Sequence, residues 1–185
     1  VNYDENKTFK KYKILFVGTL YKQKRIYELL EAYRQYVESS ISPLPLEIIG
    51  EGGESDSILE WIQTNNLQDK IKLHGGIYDH EILEKHFREA YACISPGQAG
   101  LSVLTSMGYG TPFITRKDAI TGGEIFNIKN ETNGILYNEN SELIDILKDI
   151  ERNPIKFLEL GNNARRYYLE KATPELMVKS LYNAC

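Results

Sequence analysis

Residues 14–37 read ILFVGTLYKQKRIYELLEAYRQYV. Ile14 to Val17 are apolar without alternation, as a strand covered on both faces requires. Gly18 ends the run. From there apolar side chains recur at Ile26, Leu29, Leu30, Tyr33 and Val37, the spacing of an amphipathic helix. A buried strand that passes through a glycine turn into a helix is the first part of a βαβ unit.

The same order repeats along the chain. Leu46 to Ile49 ends at Gly50, and Ile58, Leu59 and Ile62 follow at helical spacing. Lys70 to His74 (KIKLH) alternates and ends at Gly75-Gly76; Asp79 is then placed to cap a helix across Glu81 to Arg88. Tyr91 to Ile94 runs into Ser95-Pro96-Gly97, and a short helix is expected from near Gly100 to Gly108 or Gly110. Pro112 to Thr115 and Gly134 to Tyr137 read as further strands. Ser141 is expected to cap a helix carrying Leu143, Leu147 and Ile150. From Pro154 onward the pattern is helical, with Pro174 opening a last helix after Thr173. The predicted fold is α/β: a doubly wound parallel sheet, Rossmann-like, over residues 13–185, behind a polar linker or arm at 1–12.

Composition agrees with one globular domain. The 185 residues are 42% hydrophobic and 26% charged, which excludes disorder, collagen-like repeats and a disulfide scaffold. A net charge of −4 supplies no basic field for nucleic acid. Cys93 and Cys185 are too few for a disulfide framework and read as reduced thiols of a cytosolic protein. No stretch approaches the ~18–20 apolar residues of a membrane span, and VNYDENKTFKKYK has no apolar signal core. The start without methionine is expected of an excised piece.

Open α/β sheets bind ligands beyond the carboxyl ends of their strands. Here those ends are Gly18-Thr19, Gly50-Glu51-Gly52, Gly75-Gly76 and Ser95-Pro96-Gly97. The stretch from Ser95 to Thr105 is a glycine-bearing loop entering a helix, which is either an anion site or a plain strand–helix turn. Lys22, Lys24 and Arg25 cluster past the first strand, either to neutralise a diphosphate or as a solvated helix start. Cations at a helix start oppose its dipole, so helix stability does not call for them. GxGxxG after the first strand and GxxxxGK[ST] are both absent, which argues against a dinucleotide fold and a P-loop nucleotidase. There is no Asp-x-Asp, and His80 and His86 are six apart, so neither a metal nor a cofactor is expected.

VGTLYKQKRIYELLEAY, LEIIGEG, IKLHGGI, YACISPGQAGLSVLTSMGYGTPFIT, TGGEIF and NGILY occur in that order. Together, over about Lys13 to Cys185, they resemble the carboxyl-terminal, donor-binding domain of retaining glycosyltransferases of the GT-B fold, group 1 or family 4-like. The resemblance implies Gly18, Thr19, Lys24, Arg25, Gly100, Leu101 and Ser102 at the donor diphosphate, with Lys24 as the catalytic cation. It implies Gly97, Gln98, Ala99, Thr105 and Glu124 in the sugar or ribose region, and Gly76 and Ile77 at the nucleobase. The chain also departs from the family. Thr19 stands where an arginine is usual, with Arg25 as its substitute, and Gly97 and Thr105 stand at two glutamate positions. An SPGxxGL-like subgroup shows the same loop.

The implied reaction carries a sugar from a nucleoside diphosphate to an acceptor hydroxyl with retention, in bacterial glycan or polysaccharide assembly. It needs a nucleotide-sugar as donor substrate and an acceptor domain that the sequence does not show. The implied location is cytoplasmic, at the inner face of the membrane where that domain associates with it. Two alternatives stand beside it: a non-catalytic nucleotide or sugar-phosphate binding module, and half of a sugar-nucleotide epimerase.

Overall fold

The computed structural model describes Tyr3 and residues 7–182, with side-chain surroundings as far as 178. Cys185 lies outside the described residues.

Six parallel strands form one sheet in the order β3-β2-β1-β4-β5-β6. They are β1 (Lys13–Val17), β2 (Leu46–Ile49), β3 (Ile71–Leu73), β4 (Ala90–Ile94), β5 (Phe113–Arg116) and β6 (Gly134–Tyr137). Each apolar run read from the sequence is a strand to within one or two residues at either end. The order outward from β1 reverses between β1 and β4, so the two strands diverge into opposite connections and leave a crevice at their carboxyl ends.

Seven α-helices flank the sheet among the described residues: α1 (Ile26–Ser39), α2 (Ser55–Thr64), α3 (His80–Arg88), α4 (Ser102–Gly108), α5 (Asn140–Arg152), α6 (Pro154–Tyr167) and α7 (Pro174–Tyr182). The alternating side chains of each strand feed two cores. Ile14, Phe16, Leu46 and Ile48 pack under α1, α2 and α5. Leu15, Ile49 and Cys93 pack under α3, α4 and α6. Burial pushes the Cys93 thiol up to about 12, so it stays neutral.

Asp79 caps α3 as expected, its Oδ1 accepting from the amides of Glu81 (2.8 Å) and Ile82 (3.1 Å). Ser141 does not cap α5. Glu139 is the cap, paired with Glu142 in a reciprocal box, and the Glu139 amide donates to Glu142 Oε1 at 3.1 Å. The segment before β1 lies on the body where it is described. Arg88 stacks on the rings of Tyr3 and Phe9, and Lys11 Nζ donates to the carbonyl of Ala90 at 2.7 Å.

Candidate functional site

Two cavities open side by side at the carboxyl edge of the sheet and share Val17, Gly18 and Thr19 as a common rim. The first, about 390 Å³, sits in the β1–β4 crevice. Gly18, Thr19 and Lys24 reach it from the β1 side. Gln98, Gly100, Leu101, Ser102 and Thr105 reach it from the β4 side. Eight positions singled out in the sequence, far apart along the chain, are therefore brought together by the strand order.

Lys24 owes its place to the turn that carries it. Residues Lys22–Lys24 make one turn of 3-10 helix, which Arg25 ends in the left-handed region (φ 49°) before α1 begins. The turn folds the Lys24 side chain back over Gly18, where an added Cβ would stand 3.1 Å from both Cε and Nζ. Lys24 is 7% exposed. Among the described residues no carboxylate comes within ion-pair distance of it, and burial lowers its pKa. Lys22 is exposed.

Gly97 holds this turn rather than lining the cavity. Its amide donates to the Lys24 carbonyl at 3.0 Å and its carbonyl accepts from Ile120 at 2.9 Å. A Cβ there would fall 2.1 Å from the Gln23 carbonyl oxygen, so only glycine permits the crossing. Ala99 is likewise buried, its amide on the Ile120 carbonyl.

Gly100 behaves in the opposite way. A Cβ there would meet nothing within 4 Å, and its φ is not positive. Beside it the Ser102 hydroxyl is buried with no protein partner, an orphan polar group in the cavity wall. Gln98 Oε1 accepts from the Tyr21 hydroxyl at 2.5 Å, and Thr105 Oγ1 donates to the Leu101 carbonyl at 3.1 Å.

The remaining candidates lie elsewhere. The Arg25 guanidinium pairs with Asp118 at 3.2 Å and with Glu28 at 3.9 Å, and lines neither cavity. Glu124 opens a short 3-10 turn (Glu124–Asn127), where its Oε2 accepts from the Gly122 amide at 2.9 Å and the Thr121 hydroxyl at 3.2 Å. It lines neither cavity. Gly76 and Ile77 do meet, in the wall of the second cavity of about 310 Å³.

Sequence reasoning missed two residues of that second cavity, Glu51 and Tyr78. Glu51 was visible as part of a strand-end loop. Its partner Tyr78, whose hydroxyl donates to Glu51 Oε1 at 2.6 Å, lies 27 positions away and was not.

His74 faces a different place. It lies with Glu47 and His86 on the α3 side of the sheet, their ligand atoms all within 4.8 Å of one another. His86 Nδ1 is 2.7 Å from Glu47 Oε2 and His74 Nε2 is 3.2 Å from it. The grouping suits a metal in residue type. It already holds a cation: Lys13 Nζ lies 2.8 Å from Glu47 and 3.1 Å from Glu89. Burial would lower the Lys13 pKa, but its hydrogen bonds to Glu47 and Glu89 outweigh that and raise it. The Glu47 carboxyl, which burial would raise, is pulled down to about 2 by His86 and Lys13.

Known proteins share this architecture. A family model described as "Glycosyl transferases group 1" matches residues 3–167. The GtfA subunit of the UDP-N-acetylglucosamine–peptide N-acetylglucosaminyltransferase of Limosilactobacillus reuteri subsp. suis is 32% identical over 130 residues, 70% of this chain and 24% of that one. The alpha-monoglucosyldiacylglycerol synthase of Acholeplasma laidlawii is 25% identical over 154 residues, 81% of this chain and 37% of that one. The chain thus spans a quarter to little more than a third of the curated relatives it matches. A crystal structure of an S. aureus TarM mutant, in complex with fondaparinux, alpha-GlcNAc-glycerol and UDP, superposes with a TM-score of 0.84 at 24% identity, over 98% of this chain and 37% of that one. With the match running nearly end to end, the chain belongs to the group 1 glycosyl transferases, and its fold is that of the carboxyl-terminal, Rossmann-like domain of the GT-B enzymes.

Proposed function

We propose that this domain binds a nucleoside diphosphate sugar and supplies the donor side of a retaining transfer to an acceptor hydroxyl, in bacterial glycan or polysaccharide biosynthesis. The observation that carries the reading is Lys24: a buried ammonium with no carboxylate at hand, facing a cavity at the sheet's switch point. A cation kept without a protein counter-charge is matched to an anion that arrives from outside. The orphan Ser102 hydroxyl and the bare Gly100 backbone in the same wall suit phosphate oxygens that approach closely. The TarM mutant with the same fold was crystallised with UDP.

The chemistry follows from charge. As the sugar leaves, negative charge grows on the diphosphate. Lys24 Nζ, fixed against Gly18 in a desolvated wall, attracts that charge more strongly as it develops, which lowers the barrier. Losing one such group costs on the order of 3–4 kcal/mol of barrier. Gln98, held by Tyr21, lines the same cavity and suits a sugar hydroxyl. The acceptor is bound by a second domain, in keeping with the greater length of the relatives, and residues 1–185 alone bind donor without turnover.

A thermal-shift panel of nucleoside diphosphates and their sugars tests this. A ligand at 100 times its Kd adds about 2.7 kcal/mol of stability. A panel without any shift would sink the reading. One observation favours a binding module instead: among the residues lining the Lys24 cavity there is no carboxylate, since Gly97 and Thr105 stand where family glutamates would. Transfer by the full-length protein, against binding alone, separates the two.

A further inference from the structure

A cavity of about 510 Å³ on the α3 side of the sheet shares no lining residue with the two at the carboxyl edge. Glu47, His74 and His86 meet in its wall, their ligand atoms within 4.8 Å of one another. Each comes from a fixed element. Glu47 is in β2, in register with Lys72 of β3. The His74 amide donates to the Ile48 carbonyl at 2.9 Å, which holds it just past the end of β3. His86 stands in the last turn of α3. Along the sequence its nearest histidine is His80, six positions away; in the fold its partner is His74.

His86 Nδ1 and His74 Nε2 approach the same oxygen, Glu47 Oε2, at 2.7 and 3.2 Å. The His74 approach is close without being aligned for a hydrogen bond: its Nε2 is buried and has no such partner. A buried ring nitrogen left without a partner is costly. Two ligand atoms that lie side by side without bonding each other are arranged as they are around one metal. With bonds of 2.0–2.1 Å to zinc, tetrahedral neighbours stand about 3.4 Å apart, near the spacing of His74 and Glu47. Two imidazoles and a carboxylate suit zinc, whereas magnesium and calcium take oxygen ligands. The cavity leaves room for a water as fourth ligand.

Lys13 is the rival cation. Its Nζ lies 2.8 Å from Glu47 Oε2 and 3.1 Å from Glu89 Oε2, so it can yield the first carboxylate and keep the second. Lys72 and Lys85 also line the cavity, as does Glu81. Three lysines thus meet three carboxylates there, and no net charge bars a cation.

We propose that Glu47, His74 and His86 bind one zinc ion, with Lys13 giving up Glu47 to the metal and remaining on Glu89. The ion joins β2, the end of β3 and α3, whatever the Lys24 cavity holds.

Titration calorimetry of the chelator-stripped chain with Zn²⁺ at about pH 7.5, where imidazoles are neutral, tests this. One equivalent should bind, and excess Mg²⁺ should not displace it. His74→Ala and His86→Ala should each weaken zinc at least about tenfold, a loss typical even of an outer-sphere partner. His80→Ala, at an exposed histidine, should leave the affinity within about twofold. Lys13→Met removes the rival and should tighten zinc about tenfold or more. Co²⁺ bound to the unaltered chain should show the intense visible bands of a four-coordinate site, a readout that no substitution can disturb. A chain that binds no zinc, binding that survives both His74→Ala and His86→Ala or is lost with His80→Ala, or the weak bands of six-coordinate Co²⁺ would overturn the site. Zinc affinity unchanged or weaker in Lys13→Met would overturn the exchange with lysine.

Discussion

Lys13 and Lys24 stand at the two ends of the unit that opens the fold, one at the start of β1 and one just past its end, and both are buried. Their company differs. Lys13 meets Glu47, Glu89 and His86 within 3.1 Å, and its pKa is raised. Lys24 meets the bare face of Gly18 and an open cavity, and its pKa is lowered. Burying a charge is costly unless it is paired, so each lysine must be explained by a partner. Lys13 has its partners within the chain and serves the fold. Lys24 lacks one among the described residues, which is why the proposed ligand is placed there.

The largest expected effect breaks the saturated side. Lys13→Met should cost about 3–5 kcal/mol, because Glu47 and Glu89 keep their charges without a counter-ion. Adding Glu47→Met should recover part of that loss. Urea denaturation checks both, and a Lys13→Met protein of wild-type stability would erase the distinction.

Lys24→Ala should do the reverse. Stability should hold or rise, while nucleoside diphosphate affinity falls about ten- to a hundredfold and nucleoside affinity changes little. Equal losses for the two ligands in calorimetry would remove the phosphate contact from the account.

Two glycines sharpen the contrast next. Gly97→Ala forces a Cβ onto the Gln23 carbonyl and should cost about 1–3 kcal/mol of stability, disturbing the Lys24 turn as it does so. Gly100→Val meets open space and should cost about 1 kcal/mol or less, yet it should remove most diphosphate binding. A folded Gly100→Val protein with unchanged affinity would place the phosphate site elsewhere.

The smallest effect is a pH dependence to which the Lys13 side contributes. Burial holds the His74 pKa below 6.5, so the folded chain takes up its proton less readily than the unfolded chain. Its contribution is full above pH 6.5 and is lost as pH falls through the lower, folded value. The Glu47 contribution follows, full above 4.5 and lost toward about 2. Melting midpoints from pH 8 down to about 3 should show this acid decline unchanged in Lys24→Ala and altered in Glu47→Gln.

Much of the fold was legible because parallel strands write themselves as short apolar runs, four of them ending at or near a glycine, and each run became a strand. The helix caps were legible where one side chain does the work, as at Asp79. They were not where two cooperate, as at Glu139 and Glu142, which displaced Ser141. Glu47 is a charge within the apolar run LEII, and its reason, Lys13, lies 34 positions away. The candidate site was legible as a set of loops that the strand order brings to one cavity, with one buried lysine among them. The sequence did not show that Arg25 would be held by Asp118, 93 positions on, or that Glu51 and Tyr78 would meet. Those facts belong to pairings across the sheet, which no local pattern encodes.

The hydrogen bond from Gly97 to the Lys24 carbonyl crosses from the β4 loop to the β1 loop. The cavity is therefore a seam, absent from either half of the sheet taken alone. Opening it parts the two loops, so the Gly97 amide should exchange with solvent more slowly once an anion bridges them. An anion seated across that seam acts as a bolt between the halves, and its grip should appear as slower unfolding of the entire domain.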